Sequence, residues 1–495
     1  MKKLRCNRIF IIYILILTLT ISNFAGFCYI SDSVALAADN DVMSVTFYHD
    51  DVWEGNEIEY IQTGTVKIHI EPKNELLSGD EVIVAALYKQ DLLQDIILSD
   101  VQNINNGNDT YTFYIPLEDN AVDYRIRVFV WDSLSSMRPV ATPEILSGRI
   151  ALSREDVLEK LNLVNNYWIN NHPESGDNTW AESVYHIGNL AAFDMTKDMA
   201  YYDYSYQHAE KYDWLINSGK EVGPDFYDGA DWLCIGQTYL DLYKYEPEDD
   251  KIANIKENID LTVNSSIRNS WWWIDAMFMA APIFVKLANI QSDRTYTDVM
   301  YELYHNCKTE RDYYDQESHL WYRDYRFIFD LTKSDAHTPN NKKVFWSRGN
   351  GWVFAAHAKI MSEMSRDDVH WEEYESTFRE MAEALRIRQR PDGFWNPSLD
   401  DPEHFGSPET SGTAAFLYGF AWGVNNGILS PAVYIPVIEK AWNGLVTIAI
   451  REDGYLGYVQ GPATRPTEVS ADNTSNYAVG LFLMAACVVA KLAQD

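Results

Sequence analysis

Two aspartates carry the acid–base chemistry that this sequence could perform. Asp275 follows Trp271-Trp272-Trp273-Ile274 and precedes Ala276-Met277-Phe278-Met279-Ala280-Ala281-Pro282, so it sits among apolar rings. Apolar surroundings disfavour the ionised carboxylate, and a second carboxylate nearby pushes the same way. Together these effects keep a carboxylic acid protonated near neutral pH, ready to act as a general acid. A helix N-terminus, which favours the anion, opposes them. Asp231, in Gly229-Ala230-Asp231-Trp232-Leu233-Cys234, is the candidate second carboxylate; its alternative role is a helix cap. Arg348, between Trp346 and Trp352, has the fork geometry for a carboxylate-bearing ligand held between rings, or else it partners Asp231 or Glu409. Trp180 and His186, with Tyr185 and Asn189, form a further polar and aromatic group.

The elements that must position these residues are helical. From residue 150 onward, apolar periodicity and breakers predict helices near 154-170, 181-195, 198-218, 231-246, 250-264, 274-290, 294-308, 350-364, 370-389, 411-426, 431-449 and 474-493. Twelve helices form six αα-hairpins, which predicts an all-α (α/α)6 toroid over residues 151-495. In such a ring the inner helices run in one direction, so their N-termini share a rim. The chemistry-bearing residues fall at the starts of the even-numbered helices, whereas odd-numbered ones open on ordinary surface sequence such as Thr196-Lys197-Asp198. Capping preferences account for Ser411 and Thr474, but not for the tryptophans or for an arginine where the helix dipole disfavours cations.

Residues 38-150 alternate with period two, as in Val66-Lys67-Ile68-His69-Ile70 and Arg125-Ile126-Arg127-Val128-Phe129-Val130-Trp131. Roughly seven short strands predict a small β-sandwich, either a sugar-binding accessory or a spacer. Residues 1-37 read as a signal peptide: Lys2, Lys3, Arg5 and Arg8 precede an apolar run from Ile9 to about Ser22, and Ala35-Leu36-Ala37 has the small-x-small form of a cleavage site. That run falls short of the ~20 residues that span a bilayer, so secretion is the expectation and an uncleaved anchor the alternative.

Composition narrows the partners. The 495 residues include 73 acidic and 40 basic side chains, a formal net charge of -33. Phosphate backbones and anionic lipids are bound by clustered Lys and Arg, so nucleic acid and membrane surfaces are poor expectations. Sixteen Trp and 32 Tyr are suited instead to stacking on sugars. Cys234, Cys307 and Cys487, scattered through apolar helices, suit neither a disulfide framework nor a zinc site and read as buried hydrophobes.

Gly229-Ala230-Asp231 with Ile235-Gly236-Gln237-Thr238-Tyr239, then Trp273-Ile274-Asp275-Ala276-Met277, and above all Trp346-Ser347-Arg348-Gly349-Asn350-Gly351-Trp352, resemble glycoside hydrolase family 105, the unsaturated rhamnogalacturonyl hydrolases. These are related to the unsaturated glucuronyl hydrolases of family 88, and the resemblance spans roughly residues 155 to 493. It implies an (α/α)6 barrel that removes a 4,5-unsaturated uronic acid from lyase-generated acidic oligosaccharides without metal or cofactor. By the same resemblance Asp275 is the general acid/base and Asp231 the second carboxylate. Trp273 and Trp346 would be ring contacts, and Arg348 and Trp352 substrate-binding. Trp321-Tyr322-Arg323-Asp324 departs from the family's His after Trp-Tyr, so Arg323 offers another anion clamp and the disaccharide preference does not carry over. The implied mechanism protonates C4 of the enol ether and adds water at C5. The competing readings are a conventional acid/base glycosidase on an acidic polysaccharide and a non-catalytic sugar-binding protein.

Overall fold

The computed structural model describes residues 43–49, 64–72, 82–89, 92–100, 111–117, 124–133, 136, 144–147 and 152–493. The predicted signal segment lies outside them. The chain divides into two compact units, Met1–Ala151 and Leu152–Asp495.

The first unit holds β1 (Met43–His49), β2 (Gly64–Pro72), β3 (Val82–Lys89), β4 (Leu92–Asp100), β5 (Tyr111–Leu117), β6 (Tyr124–Trp131) and β7 (Glu144–Ser147). They form two antiparallel sheets, ordered β1-β2-β5 and β4-β3-β6-β7. Period-two alternation turns Val66, Ile68 and Ile70 of β2 toward Ile83, Ala85 and Leu87 of β3 and Ile126, Val128 and Val130 of β6 in one buried core. This is the sandwich that the alternation predicts. The run Val82 to Tyr88 is apolar at every position because β3 is buried on both faces, Val82 and Val84 packing with Trp131 on the second.

The second unit contains α1 (Arg154–Asn171), α2 (Trp180–Thr196), α3 (Met199–Lys211), α4 (Gly229–Leu233), α5 (Gly236–Tyr243), α6 (Asp250–Val263), α7 (Ala276–Gln291), α8 (Thr295–His305), α9 (Ser347–Glu363), α10 (Trp371–Arg386), α11 (Thr410–Asn425), α12 (Pro431–Gly444) and α13 (Asn476–Leu492). A two-residue hairpin, β8 (Tyr314–Asp315) and β9 (Leu320–Trp321), lies in the long connection before α9. Helices α7, α11 and α13 are buried along almost their whole length, as their uninterrupted apolar sequence requires. Helix α10 instead buries one stripe, Trp371, Tyr374, Phe378, Met381 and Leu385, and leaves its charges outside. Helix α2 packs on α13, α13 on α11, α11 on α9, α9 on α7, α7 on α4 and α5, and these on α2, so the inner wall closes into the (α/α)6 toroid. At the closing seam α2 and α13 approach so closely that a Cβ on Gly188 would lie 2.1 Å from the Gly480 carbonyl, and one on Gly480 2.1 Å from that of Val184.

Four helices differ from the sequence expectation. The helix expected at 231-246 is interrupted by a turn at Cys234 and Ile235, whose backbone stays right-handed helical; just beyond it Gly236 lies against Ile255, and Gln237 donates its amide to the carbonyls of Phe278 and Met279. The helix expected to reach 218 stops at Lys211, where Asp213 and Trp214 take left-handed backbone and the chain turns to bury the Trp214 ring. The helices expected over 294-308 and 431-449 end in π turns, Asn306–Glu310 and Leu445–Ala449. Cys234, Cys307 and Cys487 are buried and unpaired. Among the described residues no helix is long and apolar enough to cross a membrane.

Candidate active site

The N-terminal ends of the inner helices converge on one rim. Trp180, which opens α2, lies with its ring centroid 5.0 Å from Tyr477 at the start of α13 and 6.2 Å from Trp352 in α9. Arg348 in the first turn of α9 reaches Ser411 of α11 and Tyr477. Asp231, in the first turn of α4, senses the charge of Asp275, the residue before α7.

Asp275 is 8% exposed, and its side chain caps no helix. Its Oδ2 lies 3.3 Å from Nε of Arg323, yet neither atom makes an aligned hydrogen bond. Arg323 is fixed in turn: its carbonyl accepts from Ile274 N–H at 3.0 Å, and its Nη1 donates to Asp324 at 2.8 Å. Asp324 is wholly buried and also holds Arg326 through two bonds of 2.8 Å. Burial raises the Asp275 carboxyl above the usual range, while Arg323 and then Arg348 pull it back. Burial pushes Asp231 up to about 7, helped by the charges of Asp275 and Asp228 and opposed by Arg323. No side chain caps α4, so the capping role open to Asp231 from sequence is not the one that the structure gives it. Two neighbouring carboxyls are thus both held above the usual carboxylate range beside an arginine, Asp231 up to about 7, an arrangement suited to delivering a proton and taking one back.

Arg348 is 1% exposed, its guanidinium 4.6 Å from the Trp346 ring and 4.9 Å from that of Tyr477. Nη1 donates to the Gln460 carbonyl at 2.6 Å and Nη2 to that of Gly461 at 2.8 Å. Both prongs of the fork thus hold backbone, neither Asp231 nor Glu409 is its hydrogen-bond partner, and Nε alone stays unbonded. Glu409 supports the same segment, accepting from the N–H groups of Ser411, Gly412 and Gln460 at 2.9, 2.6 and 3.2 Å. The Gln460 side chain accepts from Trp346 Nε1 at 2.8 Å. Nothing in the sequence pattern marks Gln460, because it acts through its backbone and one amide.

Of the remaining candidates, Trp273, Trp346 and Trp352 are at most 2% exposed and pack the floor of the rim, Trp352 against Phe278 at 4.8 Å. Trp180 keeps part of its ring accessible. His186 is not brought to the rim: it is fully buried between α2 and α3, with Nδ1 3.0 Å from Ser205 Oγ and its ring 4.1 Å from His208. Burial holds it well below the ordinary histidine range, hence neutral. Sequence reasoning passed over Trp272, which carries the Arg323 guanidinium at 5.2 Å and stacks on Tyr227. The tryptophan triplet was the signal that could have found it. Among the described residues no three or more His, Cys, Asp or Glu are grouped as metal ligands would be.

The sequence profile of Glycosyl Hydrolase Family 88, the relative of family 105 in the resemblance above, matches residues 160–493. An "Unsaturated 3S-rhamnoglycuronyl hydrolase" of Formosa agariphila is 35% identical over 327 residues, covering 63% of this chain and 84% of that protein. Among solved structures, a glycosyl hydrolase family 88 protein from Bacteroides vulgatus is 36% identical with a TM-score of 0.64, covering 68% of this chain and 99% of that one. A structure described as a polysaccharide lyase is also 36% identical with a TM-score of 0.64, covering 68% of this chain and 98% of that one.

Proposed function

Because the chain belongs to Glycosyl Hydrolase Family 88, and is thereby a glycoside hydrolase, we propose that it removes a 4,5-unsaturated uronic acid from the non-reducing end of lyase-generated oligosaccharides. The observation that carries this reading is the Asp231 and Asp275 pair, half-buried and buried respectively, both raised above the usual carboxylate range and both sensing Arg323. In the proposed reaction Asp275 gives its proton to C4 of the enol ether, and the cation that forms at C5 accepts water, whose proton returns to the carboxylate. The resulting hemiketal opens and releases the aglycone. Arg323 faces the forming carboxylate and limits its charge. Rhamnose is the proposed neighbouring sugar, as in pectin-type chains, because both the motif resemblance and the name of the Formosa relative point to it. Export is proposed from the basic, apolar and small-residue sequence of residues 1-37.

The relationship to a polysaccharide lyase supports a second reading, β-elimination. There a carboxylate would abstract the C5 proton while Arg323 neutralises the uronate. The conjugated-enoate absorbance separates the two by sign. Hydration consumes it in a digest already made by a lyase, whereas elimination generates it from intact polysaccharide. A conventional glycosidase would cleave a saturated synthetic glycoside faster than the unsaturated one. Only hydration places carbon-bound deuterium at C4 of the product early in a reaction run in D2O; its absence would refute the mechanism.

A further inference from the structure

Tyr227 is 68% exposed, more than any other aromatic ring among the described residues, yet it is held in place. Its ring stacks on Trp272 with centroids 4.6 Å apart and planes 26° from parallel. Its carbonyl accepts from Trp272 Nε1 at 2.7 Å. A single exposed aromatic is ordinary on a protein surface. One clamped through both its ring and its backbone is not, since the clamp fixes the ring with its outer face toward solvent.

The position of this ring matters as much as its rigidity. From Asp275 a continuous path runs outward: Arg323 at 3.3 Å, the Trp272 ring at 5.2 Å from that guanidinium, then Tyr227. From the other direction, Tyr227 directly precedes Asp228 and stands four residues before Asp231 at the opening of α4. Both carboxyls are therefore linked to the platform, Asp275 through successive side-chain contacts and Asp231 through four residues of chain. A pyranose presents an apolar C–H face to a ring and a hydroxyl edge to polar neighbours. Arg326, whose side chain is 39% exposed and held by Asp324, lies near both Tyr227 and Tyr325 and supplies such a polar neighbour.

We propose that Tyr227, braced by Trp272, is the subsite for the sugars beyond the first on the reducing-end side of the scissile bond, so that the enzyme selects chains longer than a disaccharide. The proposal rests on the reading of Asp231 and Asp275 as the reacting pair. A ring already fixed in its binding orientation loses little freedom when a sugar lands on it, which makes stacking count fully toward affinity.

The test compares an unsaturated disaccharide and an unsaturated tetrasaccharide from one lyase digest, with the full-length chain and its Tyr227→Ala and Tyr227→Phe variants. Stacking of this kind is worth roughly a factor of five to ten. Tyr227→Ala is therefore expected to lower kcat/KM on the tetrasaccharide by about that factor, mainly through KM, and to leave the disaccharide within about twofold of wild type. Tyr227→Phe keeps the face and should behave as wild type. Equal losses on both lengths, no loss on either, or a Phe variant as poor as the Ala variant would overturn the platform. If wild type consumes neither substrate, it is the hydration reading that has failed. Calorimetric titration of the tetrasaccharide then decides the platform alone: weaker binding to Tyr227→Ala by the same factor upholds it, and equal binding overturns it.

Discussion

At Asp275 a buried carboxyl faces one arginine and caps nothing, so Asp275→Asn removes the transferable proton without removing a structural bond. Turnover should fall by ~10²–10⁴ while the thermal midpoint holds, as steady-state assays beside calorimetry would show. Activity within about threefold of wild type would dismiss Asp275 as the acid. Asp231 makes a different prediction, because it titrates at about 7 in the folded chain and near 3.9 when unfolded. Between those values the folded state binds more protons. The stability associated with this group is thus fully present below about pH 4 and lost as pH rises through 7. Asp231→Asn should flatten that slope, measurable as a gain in unfolding midpoint at pH 8 relative to pH 5. The same substitution removes a negative charge beside Asp275, so the alkaline limb of kcat/KM should move to lower pH. A limb that stays in place would mean that the two carboxyls do not share their proton.

Inner helices α7, α11 and α13 were legible because each is apolar along nearly its whole length, and the rim because Trp346-Ser347-Arg348 and Trp273-Ile274-Asp275 both sit where inner helices begin. What escaped was whatever depends on contacts between elements. Nothing local in Cys234-Ile235-Gly236 announces the turn between α4 and α5, or that Ile255 on the next helix leaves room at Gly236 for no side chain. His186 has the type of a site residue, but its place within α2 turns it toward Ser205 and His208 of α3. Arg348 was read as a clamp because its fork and flanking rings are visible in sequence, whereas the two carbonyls that occupy the fork come from more than a hundred residues away. The seam between α2 and α13 is equally non-local, and it yields an element-scale prediction. Gly480→Ala drives a methyl into the Val184 carbonyl, a clash that side-chain rotation cannot relieve. Overpacking of this kind costs about 1–3 kcal/mol. Denaturant unfolding of the variant should show a loss at least that large, with the slope unchanged. A neutral outcome would mean that the two helices can part without cost.

At the scale of the molecule, every candidate group lies within Leu152–Asp495, a compact unit with its own continuous core. A chain starting at Leu152 should keep turnover on unsaturated disaccharides and a helical circular dichroism spectrum. A folded but inactive product would assign part of the site to the strands. The ring also sets an order of events in time. Glu182 near the start of α2 takes its hydrogen bond from Asn476, 294 positions later, and α13 is the last inner helix of the wall. At about 5–20 residues per second, a ribosome needs on the order of 15–60 s between making the two sides of the seam. Throughout that interval the first helical hairpin exists without the partner that covers Gly188, and its apolar surface must be sheltered by a chaperone or left exposed to neighbouring chains. Helix α13, which closes the wall, therefore acts as a latch, and errors within it should surface as aggregation of the nascent protein rather than as a local defect.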